Sequence, residues 1–175
     1  MKFDTILIGP PSPKHDAYSG SSSKWSYPTL EPDELRALPI GDLSKPGTHL
    51  WLWTTHTHLP LAMELIPLWG FKYQVCVTAI KPSGFGNWWP KTTQFLLFSC
   101  RSPLKMLRKC QPTHFEYKPS RHSVKPEESY RLIEAVSPET RLELFARNTG
   151  WLAVGSELTG RDITDDISSK IGEVK

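Results

Sequence analysis

The stretch Phe3 to Ser12, FDTILIGPPS, constrains this chain most. Its strand-like start stops abruptly at Gly9-Pro10-Pro11-Ser12, because proline brings no N–H to a sheet ladder and fixes its own φ. A short apolar run ended in this way reads as a strand covered on both faces. The runs HLWLWT at 49–54, Tyr73 to Ile80 and Thr93 to Ser99 repeat the pattern. Between them, Pro32 to Leu38 predicts a short helix. LPLAMELIPLW at 59–69 predicts another, with Leu61, Leu65 and Leu68 at helical spacing, a stop at Gly70, and Pro67 distorting its last turn. In SVKPEESYRLIEAV, Pro126 suits a first helical turn, Glu127 and Glu128 suit its positive end, and Tyr130, Ile133 and Glu134 follow one face. Arg141 to Arg147, RLELFAR, sets Leu142, Leu144 and Ala146 in alternation with Glu143, Phe145 and Arg147, as a strand does. Strands alternating with helices predict a three-layer α/β domain with a mostly parallel sheet. Such sheets bind ligands at the carboxyl ends of their strands, which is where the Gly-Pro-Pro-Ser turn falls.

The 175 residues suit one domain, expected over 1–158, with a polar tail at 159–175. Met1-Lys2-Phe3-Asp4 lacks the apolar core of a signal peptide, and no run approaches 18 apolar residues, so a soluble, intracellular protein without membrane contact is expected. Cys76, Cys100 and Cys110 are odd in number and lack CxxC spacing, which suggests neither a disulfide framework nor a zinc site. They read as buried or reduced thiols. The net charge of +3 is unevenly distributed: Arg101 to Arg131 holds eight Lys/Arg against three Glu. Such a patch can neutralise phosphates, although a solvated basic face has the same composition.

Several chemistries lose support. No GxGxxG follows a strand, no GxxxxGK[ST] occurs, and Gly84-Phe85-Gly86 is a lone Gly-x-Gly. There is no GxSxG elbow. His56 and His58 are a lone HxH pair, and His15 with Asp16, and His122, read as loop residues rather than a catalytic pair. No metal site is expected. Glu143 is more informative, because a carboxylate within an apolar strand must meet a cation or other donors to be buried. Arg147, of the same parity, is one candidate cation, and ligand hydroxyls are the alternative.

Several segments together resemble the MT-A70 family of S-adenosylmethionine (SAM)-dependent adenine-N(6) methyltransferases. They are Ile6 to Ser12, YPTLEPDELRALPI at 27–40, HLWLWTT at 49–55, WGF at 69–71, KPSGFGNWW at 81–89, RHSVKPEESYRLIEAVSPETRLELFAR at 121–147 and GWLAVGSEL at 150–158. The resemblance implies a Rossmann-like methyltransferase fold with the permuted motif order of the β-class, and SAM as methyl donor. It implies that Lys125 meets the methionine carboxylate, that Glu143, Arg147 and Asn148 surround the ribose, and that Ser156 and Glu157 finish the pocket beside the adenine ring. Ile8 joins this cofactor set. Tyr27, Trp88, Lys118, Arg121 and His122 are expected to face a DNA or RNA substrate, and a second methyltransferase-like subunit is an implied partner.

In this family the first strand ends in Asp-Pro-Pro-Trp, whereas this chain has Gly9, Pro10, Pro11 and Ser12 at the implied catalytic positions. The adenine 6-amino lone pair is delocalised into the ring, and an acceptor on its N–H groups favours the form that attacks the sulfonium methyl. Gly9 offers no carboxylate, which leaves the Pro10 carbonyl as acceptor. Ser12 offers little of the stacking face that a Trp gives to an extruded base. Ser156, Ala79 and Gln94 also depart from the usual Asn, Trp and Glu. His15 or Asp16 could substitute for the carboxylate, and Tyr18, Trp25, Tyr27 or Trp88 for the stacking ring. Two readings of the resemblance follow: an adenine-N(6) methyltransferase with an unusual, slow site, and an inactive relative that binds nucleic acid or an active subunit. A SAM-fold protein that methylates something else or binds another nucleotide is a third.

Overall fold

A computed structural model describes residues 2–11, 29–84, 86, 88–119, 125–145, 151–154 and 169. Strands β1 (Phe3–Ile8), β2 (Ser44–Thr54), β3 (Lys72–Ile80), β4 (Thr93–Cys100), β5 (His114–Glu116), β6 (Arg141–Leu144) and β7 (Leu152–Val154) form one sheet in the order β5-β3-β4-β2-β1-β6-β7. Only the pairings of β4 with β2 and β3 are antiparallel. The carboxyl ends of all the other strands therefore lie at one end of the sheet. Helices α1 (Pro32–Ala37), α2 (Leu59–Leu68) and α3 (Glu127–Val136) complete the described elements. Among the described residues no helix is long and apolar enough to cross a membrane.

The period of two in each strand sorts its side chains into two cores. Ile6, Ile8, Leu50, Leu52, Leu142 and Leu144 face α1 and α2, with Leu35, Leu65 and Ile66 above them. Leu7, Trp51, Trp53, Val77, Leu96 and Phe98 face α3, where Ile133 and Val136 cover them. These are the three layers that the alternation of strands and helices predicts. The chain leaves β1 through α1 on one face to reach β2, and arrives at β6 beside β1 from α3 on the other face. The carboxyl ends of β1 and β6 thus flank a topological switch point, the place where an open α/β sheet has a crevice for ligands.

The differences from expectation are local. Strand β2 begins at Ser44 rather than His49, because a register shift between Phe3 and Thr5 accommodates the polar stretch around Gly47. Pro67 leaves α2 intact to Leu68, since a proline so near the end removes a single bond, and Gly70 (φ +81) then turns the chain away. Leu68 is exposed, and Ala62, Leu65 and Ile66 make the inward face of α2. On α3, Ser129, Ile133 and Val136 point inward, and Glu134 instead accepts a hydrogen bond from Trp151 Nε1. Strand β6 ends at Leu144, three residues short of the expected Arg147, because Phe145 adopts φ +61 and takes the chain out of the sheet. The expected boundary at residue 158, with its polar tail, lies outside the described residues. The three cysteines are free thiols, Cys110 an exposed one.

A buried polar knot fastens α3 to the sheet. Trp51 Nε1 donates to Ser137 Oγ at 2.8 Å, and the same hydroxyl lies 2.8 Å from His49 Nδ1. Burial lowers the His49 pKa to about 4, opposed in part by the Lys105 backbone and the Asp4 charge. The unfolded chain binds the proton near pH 6.5, so this contribution to stability is complete above that pH and is lost as pH falls from 6.5 towards 4. Urea unfolding at a series of pH values should show His49 contributing about 3 kcal/mol to that loss. His49→Gln should flatten the dependence in this window; a slope equal to that of the unaltered protein would contradict the assignment.

Candidate active site

The sheet pairing places Leu7 beside Glu143, both on the α3 face. Glu143 is 1% exposed, between Leu142 and Leu144 in sequence. A bare carboxylate at this depth would be severely destabilising. Its cation is Lys125, whose ammonium lies 2.6 Å from Oε1, with the lysine side chain 12% exposed. The Tyr130 hydroxyl donates to the same carboxylate, 3.1 Å from Oε1 and 3.0 Å from Oε2. Burial first, and then the Glu143 charge, push the Tyr130 phenol far above its usual pKa, so it remains a donor across the physiological range.

Local chemistry sets up each contributor. Pro126 cannot continue a helix backwards, and it caps α3 with its carbonyl, which accepts from the Ser129 N–H at 3.0 Å and the Ser129 hydroxyl at 2.6 Å. This start places Lys125 just before α3 and Tyr130 in its first turns, above β6. Trp151 meets the Tyr130 ring edge to face at 5.4 Å. On the other side stands Gly9. A Cβ added there would lie 2.6 Å from Lys125 Cε and 2.9 Å from Nζ, so this lysine position requires glycine at the end of β1. The lysine stem fills the space in which an Asp side chain would begin.

The surroundings of Gly9 are equally specific. Trp53, on the adjacent strand, is 3.8 Å from the same Cβ position, and its Nε1 is buried without a hydrogen-bond partner among the described residues. The Pro11 carbonyl accepts from the Leu30 N–H at 2.9 Å, whereas the Pro10 carbonyl takes part in no hydrogen bond among the described residues. Ala79 and Gln94, two departures from the family pattern, sit opposite each other on β3 and β4. Tyr117 donates to Gln94 Oε1 at 3.0 Å, and burial pushes the Tyr117 pKa up to about 12.

The structure therefore brings Gly9, Lys125 and Glu143 together, with Pro10 and Pro11 continuing the chain. The Ile8 side chain packs into the opposite core, so it offers this site only its backbone. Lys118 is exposed just past the end of β5, and Trp88 is exposed in the β3–β4 connection, both at the same end of the sheet. Ser12, His15, Asp16, Tyr18, Trp25, Tyr27, Arg121, His122, Arg147, Asn148, Ser156 and Glu157 lie outside the described residues. Tyr130 is the member that sequence reasoning missed as a site residue, although its helical spacing to Ile133 already placed it on the inner face. His56 and His58 fall in the turn after β2 rather than in a strand. His56 Nε2 is 2.8 Å from Thr93 Oγ1, and His58 Nδ1 is 3.0 Å from Thr55 Oγ1. Among the described residues no group of three or more His, Cys, Asp or Glu is placed to hold a metal ion.

The sequence model of the MT-A70 family matches residues 3–157. The chain is 28% identical over 181 residues to the N(6)-adenosine-methyltransferase catalytic subunit METTL3 of Homo sapiens, covering 94% of this chain and 30% of that protein. It is also 28% identical over 181 residues to an N(6)-adenosine-methyltransferase MT-A70-like protein of Drosophila melanogaster, covering 94% and 28% of the two chains. With the N(6)-adenosine-methyltransferase MT-A70-like protein of Arabidopsis thaliana it shares 27% identity over 172 residues, covering 90% and 24%. The chain thus spans 24% to 30% of the length of these relatives.

Removing Lys125 alone leaves a buried, half-satisfied carboxylate. Urea unfolding should show Lys125→Met losing about 3 kcal/mol, and Lys125→Met combined with Glu143→Gln losing clearly less. A double variant no more stable than the single one would contradict the ion pair's role.

Proposed function

Because the chain belongs to the MT-A70 family, whose named relatives are adenosine-N(6) methyltransferases, we propose that it binds SAM at the Lys125–Glu143 cluster and acts as a slow adenine-N(6) methyltransferase on DNA or RNA. The observation that carries this reading is the buried Glu143 carboxylate, held by Lys125 and Tyr130 at the switch point between β1 and β6.

The donor set fits SAM. The ligand has a carboxylate and an ammonium at one end, and ribose hydroxyls and an adenine at the other. Lys125 supplies the cation for the carboxylate, Glu143 accepts from hydroxyls, and Trp53, whose Nε1 has no hydrogen-bond partner among the described residues, has its Cβ 3.8 Å from the Gly9 Cβ position. When bound, SAM supplies an electrophilic methyl group. Arg147, Asn148, Ser156 and Glu157 complete the cofactor set in this proposal.

The chain's own part in the chemistry is to orient the accepting amine by accepting a hydrogen bond from its N–H, while the proton that the methylated nitrogen sheds passes to solvent water. The Pro10 carbonyl is the acceptor open for this at the strand end, and Gly9 adds none. If one missing carboxylate hydrogen bond costs about 3 kcal/mol of transition-state stabilisation, turnover falls roughly a hundredfold. Gly9 also favours a second reading, in which the chain is a non-catalytic subunit beside an active methyltransferase-like partner. Its support is specific: the position of the expected carboxylate is filled by the stem and ammonium of Lys125. In both readings Tyr27, Lys118, Arg121 and His122 face the nucleic acid, and the setting is intracellular.

Transfer of labelled methyl from SAM to mixed DNA and RNA oligonucleotides tests the choice. N(6)-methyladenine should form slowly, and Gly9→Asp with Ser12→Trp should raise the rate by tenfold to about a hundredfold. Absence of product in both forms would transfer the proposal to the non-catalytic reading. Lys118→Glu should weaken nucleic-acid binding and lower the slope of log K against log salt by about one or more. An unchanged slope would remove Lys118 from the interface.

A further inference from the structure

At the same end of the sheet, residues 81–92 join β3 to β4 and hold two adjacent indoles, Trp88 and Trp89, in solvent, 87% and 83% exposed. Single exposed apolar residues are ordinary, but two neighbouring tryptophans displayed together suggest a contact surface.

The loop's construction favours display. A Cβ on Gly84 would lie 2.3 Å from the Lys91 carbonyl oxygen, so the outgoing and returning segments touch backbone to backbone. Gly86, at φ +151, would place a Cβ 2.3 Å from the Trp89 carbonyl oxygen. Only glycine permits either approach. The base of the loop closes with Lys81 N–H to the Thr92 carbonyl at 2.7 Å, and Thr92 N–H bonds the Pro90 carbonyl at 3.0 Å. It is also fastened to the turn after β2. His56 Nε2 lies 2.8 Å from Thr93 Oγ1, the His56 ring meets Phe95 edge to face at 4.7 Å, and the Lys91 ammonium donates to Thr57 Oγ1 at 3.1 Å. An indole held on such a support loses little conformational freedom when it meets a partner.

Charge narrows the partner. Residues 81–92 include Lys81 and Lys91 and neither Asp nor Glu. Thr57 is a neutral acceptor and leaves the Lys91 charge in place. A partner should therefore offer flat apolar faces and negative charge side by side. An unpaired nucleic-acid strand does both, whereas a duplex hides the faces of its bases. A protein surface that matched only the indoles would leave the lysines unused.

We propose that the 81–92 loop is a stacking platform for unpaired bases, with Trp88 and Trp89 each taking one base and Lys91 meeting a flanking phosphate. This rests on the nucleic-acid reading above and deepens it, by making an unpaired strand the form that is captured. The two indoles bind the strand; they take no part in methyl transfer.

The test is fluorescence anisotropy of the full chain with labelled single-stranded DNA and RNA oligonucleotides and the matching duplexes, across a range of salt. Trp88→Ala and Trp89→Ala should each weaken single-strand binding roughly tenfold and leave the salt slope unchanged, because stacking releases no counterions. Duplex binding should change less than twofold. Gly84→Val, which retains both indoles but forces the loop apart, should reproduce the loss, with circular dichroism and thermal midpoint confirming an intact fold. Unaltered strand binding in the double alanine variant would overturn the proposal. So would equal losses on duplex, or a dimer that dissociates in the double variant while strand binding persists. Binding of duplex alone by the unaltered protein would overturn the platform and leave the nucleic-acid reading standing. Binding of neither form would overturn both.

Discussion

The carboxylate of Glu143 is the constraint to which the carboxyl end of the sheet answers. A charge 1% exposed within an apolar strand requires a cation and further donors, and it obtains them from Lys125 and Tyr130. That requirement reaches along the chain. Pro126 must start α3 where Lys125 can turn inward, and Tyr130 must face the sheet. Gly9 leaves room for the lysine end, since a Cβ there would lie 2.6 Å from Lys125 Cε and the flexible tip of the lysine would have to shift. Ser137, at the far end of α3, is locked to His49 and Trp51, so the helix that carries Tyr130 and follows Lys125 is held at each end.

This cluster sits where two independent arguments converge. The topology puts the ends of β1 and β6 at the switch point of the sheet, which favours a ligand crevice whatever the chemistry. The burial of Glu143 gathers Lys125 and Tyr130 beside that point. Replacing a buried ion pair by apolar residues of similar volume is often neutral or stabilising, so retention of the pair is more readily understood as preparation for a ligand than as a contribution to folding. A ligand with its own carboxylate and hydroxyls can take over both partners and compensate the separation of the pair. Membership of the MT-A70 family makes SAM that ligand in the proposal, and in the same proposal Gly9 slows or removes the chemistry beyond binding.

Much of this was legible in the sequence, and the remainder was hidden for physical reasons. Strands β1, β3 and β4 and helices α1 and α2 emerged within a residue or two at each end, because short apolar runs bounded by Gly and Pro leave few alternatives. The three-residue strands β5 and β7 are too short to show a period of their own and are defined by the neighbours they pair with. Glu143 stood out as a carboxylate that needed a partner. Arg147 was the candidate cation because alternation was extended through Phe145, but the left-handed turn there ends the strand and Lys125 fills the role. That lysine is 18 residues away from Glu143, a separation that periodicity does not bridge. Tyr130 could be placed on the inner face of its helix but not over the carboxylate, since the second fact depends on how α3 crosses the sheet.

The central claim is that Glu143, Lys125 and Tyr130 form a cofactor pocket. Calorimetric titration of the full chain with SAM, beside the Glu143→Gln variant, tests it most directly. Glu143→Gln preserves volume and, with Tyr130 still able to donate, should retain the fold. The account predicts saturable, one-to-one binding by the unaltered chain and at least tenfold weaker binding by the variant. Equal affinity in the two proteins, or no binding by the unaltered chain, would contradict it.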